Sequence, residues 1–141
     1  MFEYSFNLVK VVDGDTVDID IDLGFGVWLK KQRIRIMGID TPESRTSDDE
    51  EKKYGLLAKD QVIKYIAGAR KFYSFQDEKG KYGRILGDFE IYHHTSGAWM
   101  KMAEAMIRDH YGVRYLGQNK SLIADEHLIN RDRLKERGII V

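Results

Sequence analysis

The sequence predicts an α+β domain built on a five-stranded β-barrel of the OB type with three α-helices. Residues 2–39 contain three runs with the two-residue hydrophobic period of strands, and two further runs follow between residues 70 and 92. Three other segments are predicted as helices, one of them clearly amphipathic. Five strands that share one core close economically into a barrel, because closure removes exposed sheet edges in a small protein.

Residues 2–39 are predicted to form a meander of three strands. In the second strand Val17, Ile19, Ile21 and Leu23 alternate with a threonine and three aspartates. This two-residue period assigns the four apolar side chains to a core face and the polar side chains to a solvent face. The residues assigned to the solvent face are Thr16, Asp18, Asp20 and Asp22.

Two turn signals separate these three strands. Asp13-Gly14 marks a hairpin between the first strand and the second. Gly24-Phe25-Gly26 separates the second strand from the third, which is predicted over residues 28–39.

The middle of the chain is predicted to hold a loop, a helix and two strands. Residues 44–53 contain no apolar side chain and are expected to form an exposed, mobile loop. Residues 54–69 carry apolar side chains three, four and seven positions apart, which predicts an amphipathic helix. Residues 70–75 and 84–92 are the fourth and fifth predicted strands, joined by a turn at 77–80.

The last third of the chain is predicted to form two helices. Residues 98–111 make the second helix, whose three methionines are expected to fill the core rather than to form a binding surface. The third helix is predicted to begin near Ser121, a usable N-cap, and to end at residue 137 before Gly138.

Composition excludes several classes of site. The chain has no cysteine, which rules out disulfides, thiolate zinc sites, iron–sulfur clusters and cysteine nucleophiles. Its 23 Lys and Arg balance its 23 Asp and Glu. Because no global field then attracts polyanions, any nucleic-acid binding must rest on a local basic patch. A length of 141 residues suffices for a core, and we expect one domain over residues 1–141.

The expected setting is intracellular. The first ten residues include Glu3 and lack the basic and apolar regions of a signal peptide, although export after removal of a leader is compatible with the sequence. No apolar run approaches the roughly 18 residues that a membrane span needs, and the mean hydropathy is -0.47. We therefore expect a soluble monomer that does not bind membranes.

The only proline in the chain stiffens a candidate site at the end of the third predicted strand. Pro42 fixes its own φ and favours an extended Thr41. The turn should therefore hold Asp40 and Glu43 in a defined relation, as a metal or catalytic site requires. The alternative is an ordinary strand-ending turn with solvated acids.

A second acidic element lies at the first predicted hairpin. Within Asp13-Gly14-Asp15, the Asp15 carboxylate is placed to meet Asp40 across the sheet. Two carboxylates with a backbone carbonyl and waters form a hard oxygen site, which suits Ca²⁺ better than Zn²⁺. Taken alone, an Asp-Gly-Asp sequence is more often just a turn.

Arg35 and Arg84 are the candidate phosphate ligands. A guanidinium group is permanently charged and offers planar, bidentate donors to phosphate oxygens. Lys30, Lys31 and Arg33 join Arg35 in a charge of +4 over residues 28–35, which predicts a local basic patch. Either arginine taken singly is better explained as a surface residue.

Four motifs in this chain together resemble the staphylococcal nuclease (thermonuclease) family. The resemblance extends over nearly the whole chain, and the joint pattern is highly specific. The motifs are Val12-Asp13-Gly14-Asp15-Thr16-Val17, Arg33-Ile34-Arg35-Ile36-Met37-Gly38-Ile39-Asp40-Thr41-Pro42-Glu43, Lys53-Tyr54-Gly55 and Lys81-Tyr82-Gly83-Arg84.

The resemblance implies a calcium-dependent enzyme that hydrolyses phosphodiester bonds in DNA and RNA and leaves 3′-phosphates. It also implies a five-stranded OB barrel with three helices. The metal-binding aspartates of the family match Asp15 and Asp40, and its backbone carbonyl ligand falls at Thr41.

The resemblance also assigns the catalytic residues. The glutamate usually drawn as the general base for the attacking water matches Glu43, and the two catalytic arginines match Arg35 and Arg84. The tyrosine near the bound phosphate matches Tyr82. Tyr82 and Tyr115 are candidates for stacking on the bases of a single-stranded substrate.

Two alternatives to a nuclease stay open. The first is a noncatalytic OB-fold module that binds single-stranded nucleic acid, although all the charged residues of the catalytic pattern are present here. The second is a calcium-stabilised interaction domain without a nucleic-acid partner, which the basic run weakens. The acidic residues 48–51 stand where family members often carry lysines that touch substrate, so the preference for DNA or RNA is left open.

Overall fold

The structure is a computed structural model that describes residues 2–75 and 83–140. The predicted turn at 77–80 and Tyr82 lie outside the described residues. The elements in chain order are β1 (Phe2–Asp13), β2 (Thr16–Asp22), β3 (Trp28–Ile36), β4 (Ile39–Asp40), α1 (Asp49–Ala67), β5 (Lys71–Ser74), β6 (Ile85–His93), β7 (Ala98–Lys101), α2 (Met102–Arg108), β8 (Val113–Arg114) and α3 (Lys120–Glu136).

Five of these strands form a closed barrel. The strands β3, β2, β1, β5 and β6 are hydrogen-bonded in that order, all in antiparallel pairs. The barrel closes where β3 pairs in parallel with β6, with Ile34 opposite Ile85 and Ile36 opposite Gly87. The predicted α+β fold, an OB-type five-stranded barrel with three helices, is confirmed.

The β1–β2 hairpin confirms the turn predicted at Asp13-Gly14. Asp13 is paired with Thr16, which leaves Gly14 and Asp15 as the two loop residues. A Cβ at Gly14 would lie 2.8 Å from the hydroxyl oxygen of Thr41. The glycine therefore lets this turn approach the segment after β4 closely, and Asp15 is carried with it.

The second strand follows its predicted alternation with two exceptions. Val17, Ile19 and Ile21 are buried as predicted, but Leu23 is 43% exposed because β2 ends at Asp22 and Leu23 belongs to the following turn. The alternation assigns Asp18 to the solvent face, but Asp18 is buried, since the Arg33 guanidinium covers it with hydrogen bonds of 2.9 and 3.1 Å.

Helix α1 begins five residues before the predicted start at residue 54, so the loop prediction is wrong for residues 49–53. The Asp48 side chain caps the helix by accepting hydrogen bonds from the backbone N–H groups of Glu50 and Glu51, at 3.1 and 3.2 Å. Acidic side chains in a first turn also interact favourably with the positive end of the helix dipole. The charged run thus starts the helix.

The helix predicted over residues 98–111 is wrong for its first four residues, which form β7. Ala98–Lys101 pairs with the end of β6, and α2 covers only Met102–Arg108. Trp99 contributes to the strand by lying 3.9 Å from the Arg70 guanidinium and edge-on to Tyr92. Of the three methionines expected in a helical core, Met102 and Met106 are fully buried and the third lies on β7.

Helix α3 is confirmed near its predicted bounds, but its N-cap is Asn119 rather than Ser121. The Asn119 side chain accepts a hydrogen bond of 2.8 Å from the Ser121 backbone N–H. Only two of the helix residues, Ile123 and Leu134, are buried, so polar contacts supply much of its docking. No described helix is long and apolar enough to cross a membrane.

A buried carboxyl group joins α2 to the barrel. Lys101 precedes α2 and gives it no side-chain cap, but Asp88 of β6 accepts hydrogen bonds from the backbone N–H groups of Phe89 at 2.7 Å and Ala103 at 3.3 Å. Burial raises the pKa of Asp88 to about 7, against the lowering effect of these hydrogen bonds.

The raised pKa of Asp88 predicts a loss of stability between pH 5 and pH 8. The folded protein holds a proton on this carboxyl group that the unfolded chain releases above the ordinary aspartate pKa of 3.8. The stabilisation is therefore present at low pH and is lost as pH rises through about 7. Substitution Asp88→Asn removes this contribution. We expect the urea midpoint of the variant, relative to the wild type, to be higher at pH 8 than at pH 5; parallel pH profiles would contradict this.

A close approach between α1 and the turn after β4 predicts that any side chain at Gly55 destabilises the fold. A Cβ at Gly55 would lie 2.2 Å from the backbone oxygen of Glu43. We expect Gly55→Ala to lower the free energy of unfolding by about 2 kcal/mol, measured by urea denaturation. Gly68→Ala is the matched control, because Gly68 has φ −102° and an open surrounding; an equal loss there would remove the steric explanation.

Candidate active site

The candidate site lies where the segment after β3 crosses the β1–β2 turn. Gly38 has φ +85°, which allows the chain to reverse after β3. Strand β4 then pairs with β8, with Asp40 opposite Val113. Thr41 is buried directly after this pair, against the hairpin that carries Asp15. Backbone pairing on one side and burial on the other thus fix the predicted acidic turn.

Asp15 is a mostly buried carboxylate beside this turn. Its side chain accepts hydrogen bonds from the Thr16 hydroxyl at 2.9 Å and from the Thr41 backbone N–H at 3.4 Å. Burial raises the pKa of Asp15, and the charge of Arg35 opposes that rise. Asp15 and Thr41 are therefore in contact, as the predicted metal site requires.

Arg35 folds back over the same turn. Its Nη1 donates to the Ile36 carbonyl at 2.7 Å, and its Nη2 donates to the Ile39 carbonyl at 2.8 Å. Nη2 also lies 3.5 Å from the Asp15 carboxylate. Two chain carbonyls and one carboxylate thus hold the guanidinium group that the sequence assigns to a phosphate, and Arg35 also braces the turn.

Four carboxylates converge beside this arginine. Burial, the negative charges of Asp13, Asp15 and Asp40, and a hydrogen bond with Asp13 together raise the pKa of Glu43 to about 7. The side chains of Asp13, Asp15, Asp40 and Glu43 also line one common cavity. Glu43, Asp15 and Asp40, predicted as one site from three separate positions, are therefore neighbours in the fold.

The acidic cluster fits a hard cation only with help from non-carboxylate oxygens. Among the residues of the described part, no group of three or more His, Asp and Glu side chains is arranged as a metal site. Asp15 and Asp40 flank Thr41, whose carbonyl and waters would have to complete the coordination. The buried Thr41 hydroxyl has no hydrogen-bond partner among the described atoms. An oxygen-only set of this irregular kind suits Ca²⁺.

Two cavities meet at the site. A large one of about 1040 Å³ lies between the turn after β3 and helix α3, and a smaller one of about 350 Å³ lies over the β1–β2 turn. Arg35, Asp40 and Arg84 line both cavities, so the predicted catalytic groups stand at their junction. Glu43 lines the smaller cavity together with Asp15.

The remaining predicted residues are placed as follows. Arg84, just before β6, is partly exposed at the junction of the cavities. Tyr115 follows β8, is 43% exposed and lines the large cavity. Its backbone N–H donates to the Gly38 carbonyl at 2.8 Å, which ties it to the turn after β3. Tyr82 lies outside the described residues, so its predicted role stays a prediction.

The predicted basic patch along β3 is largely compensated by the neighbouring strand. Arg33 forms its two hydrogen bonds with Asp18, and Lys30 lies 3.1 Å from Asp20. These aspartates alternate along β2 directly beside β3, which the local charge count over residues 28–35 does not include. With Arg35 lying 3.5 Å from Asp15, three of the four cations in the patch have an acidic partner.

Sequence reasoning missed His127 as a residue of this site. Its Nε2 lies 2.7 Å from Oδ2 of Asp40, although the two residues are 87 positions apart. No local sequence pattern predicts this contact, because it depends on how α3 packs against the rest of the fold. Arg45 is a second omission, an exposed cation that lines the smaller cavity two positions after Glu43.

Comparison with known proteins finds a family and two curated relatives whose sequences match part of this chain. The family model described as staphylococcal nuclease homologue matches residues 33–133. The chain is 31% identical over 85 residues to the thermonuclease of Staphylococcus hyicus, covering 60% of this chain and 47% of that protein. It is 34% identical over 83 residues to the thermonuclease of Staphylococcus intermedius, covering 58% and 46%. The chain thus spans about half the length of the curated relatives it matches.

Because Arg35 braces the turn, we expect its substitution to destabilise the fold, whereas substitution of Arg45, which lines the same smaller cavity, should not. We expect Arg35→Ala to lower the free energy of unfolding by about 2 kcal/mol, because two backbone carbonyls lose a charged donor. Arg45→Ala, at an exposed position, should change it by less than about 0.5 kcal/mol. Urea denaturation of both variants measures the difference, and equal stabilities would contradict the bracing role.

Proposed function

The chain belongs to the staphylococcal nuclease homologue family, and from that premise we propose that it hydrolyses phosphodiester bonds in DNA and RNA with Ca²⁺ as cofactor. The products would carry 3′-phosphates. The observation that carries the proposal is the junction of the two cavities, where carboxylates and arginines face the same opening. Metal-assisted phosphodiester hydrolysis requires carboxylates that bind a cation next to cationic groups that bind the phosphate.

Asp15, Asp40 and the carbonyl of Thr41 are the residues that would hold the calcium ion. When bound, the ion supplies positive charge that stabilises the developing charge on the phosphate. The raised pKa values of Asp15 and Glu43 support this assignment, because they report carboxylates crowded in a partly buried place. A cation lowers the electrostatic cost of holding them ionised.

Glu43 is the proposed general base. Its carboxylate lies among Asp13, Asp15 and Asp40, which favour a proton on it. From the mouth of the smaller cavity it can orient a water molecule and accept its proton. Pro42 before it and the close approach of Gly55 fix the backbone from which this carboxylate projects.

Arg35 and Arg84 are the proposed donors to the phosphate. The hydrogen bonds of Arg35 to the two backbone carbonyls use one N–H from each Nη, and a guanidinium has five N–H donors. Further donors therefore stay available at a fixed orientation. Charge on the nonbridging oxygens grows toward the transition state, so fixed donors stabilise that state more than the bound substrate.

The two cavities differ in a way that suits the two parts of a nucleotide. The large cavity includes apolar walls from Tyr115, Leu116 and Leu128, which suit a base and its sugar. The smaller cavity is lined mostly by charged residues, among them Arg45, and suits phosphate oxygens. A single strand can place one phosphate at the junction, and we propose single-stranded nucleic acid as the substrate.

The decisive experiment is hydrolysis of an end-labelled single-stranded DNA by the wild type and by Arg84→Ala, with and without EGTA. We expect cleavage to need Ca²⁺ and the variant to lose at least about a hundredfold in rate, as when one preorganised donor is removed. Calcium binding, measured by isothermal titration, should be retained. Arg108→Ala is the matched control, since Arg108 lies on α2 and pairs with Glu104 away from the cavities.

Two outcomes would contradict parts of this proposal. An Arg84→Ala variant within tenfold of the wild-type rate would remove the catalytic assignment of Arg84. A wild type that binds the strand but never cuts it with any divalent ion would favour the noncatalytic OB-fold module instead.

A further inference from the structure

Helix α3 delivers one side chain directly to a proposed calcium ligand. His127 lies 2.7 Å from Asp40 through its Nε2 and the Oδ2 atom. The histidine side chain is only 14% exposed and that of Asp40 is 33% exposed. The contact is therefore partly shielded from water, in a region where a hydrogen bond is stronger than at the open surface.

The chemistry of the pair fixes its direction. An ionised carboxylate only accepts hydrogen bonds, so Nε2 carries the hydrogen and donates it to Oδ2. The terminal torsion of an aspartate is otherwise broad and twofold. A hydrogen bond to Oδ2 selects one orientation of the carboxylate and leaves Oδ1 without this donor.

We propose that His127 is a positioning residue that orients the Asp40 carboxylate for the cation. The inference rests on the proposed function in one respect, the assignment of Asp40 as a calcium ligand. Carboxylates that bind metals are commonly held by a second hydrogen-bonded group, and loss of that group typically weakens metal binding by roughly 10–100-fold. His127 meets this description by geometry and by chemical type.

The backbone and the side chain of Asp40 are thereby held from two different elements. Strand β4 is only two residues long and is paired with β8. This pairing fixes the Cα of Asp40 but leaves its side-chain torsions undetermined. His127 supplies the missing constraint from a helix that otherwise buries only Ile123 and Leu134.

The positioning role can be separated from the docking of α3, because the helix has other anchors that do not touch the site. The Asn130 side chain donates to the Gly112 carbonyl at 3.1 Å. Arg137 donates to the Asp109 carbonyl at 2.6 Å. A variant of Asn130 therefore loosens the same helix without removing the donor on Asp40.

The test is calcium binding by isothermal titration with CaCl₂ to the full chain in four forms: wild type, His127→Leu, His127→Gln and Asn130→Leu. We expect His127→Leu to weaken binding by roughly tenfold or more. His127→Gln places an amide N–H near the position of Nε2 and should restore binding to within about threefold of wild type. Asn130→Leu should bind as the wild type does. Far-UV circular dichroism confirms that each variant is folded.

Three results would overturn the proposal. They are unchanged calcium binding in His127→Leu, an equal loss in His127→Leu and Asn130→Leu, and absence of calcium binding by the wild type. Cleavage of single-stranded DNA by the same preparations separates this inference from the proposed function. If the wild type binds calcium, His127→Leu binds it more weakly and the wild type never cleaves DNA, the proposed nuclease activity is wrong and the positioning role of His127 is supported. If the wild type cleaves DNA and His127→Leu binds calcium as tightly as the wild type, the nuclease activity is supported and the positioning role is wrong.

Discussion

The site depends on the close contact of one turn with two neighbours. The segment from Asp40 to Ser44 lies against the β1–β2 hairpin on one side and against helix α1 on the other, and each contact needs a glycine. Gly14 brings the hairpin to the Thr41 side chain, and Gly55 brings the helix to the Glu43 backbone. These approaches gather carboxylates from separate positions of the chain into one place. Any added side chain at either glycine would separate them.

That gathering has an electrostatic consequence. Burial and the charges of neighbouring carboxylates raise the pKa values of Asp15 and Glu43, so the cluster by itself resists full ionisation. Arg35 offsets part of this cost through its contact with Asp15, while its other donors brace the backbone. One arginine thus links the stability of the turn to the charge balance of the site. A bound cation would neutralise more of the negative charge that Arg35 neutralises in part.

The barrel followed from the sequence because strand periodicity is a local property, whereas the exceptions depend on contacts between distant residues. Ala98–Lys101 is a strand because it pairs with β6 and Trp99 stacks on Arg70. The predicted acids Asp15, Asp40 and Glu43 line one cavity with Arg35, and their roles stay predictions. The partner of Asp40 could not be predicted, because His127 comes from a helix whose docking no short pattern encodes.

Under the proposed function, a polyanion would meet different charges at the barrel wall and at the cavities. Along the barrel wall, two cations of β3 are matched by aspartates on β2, in the pairs Arg33–Asp18 and Lys30–Asp20. The large cavity instead exposes Lys120 to the same opening as the arginines of the site. A chain with 23 cations and 23 anions offers no long-range attraction for a polyanion, so the proposed binding of nucleic acid would rest on local cations such as those at this opening.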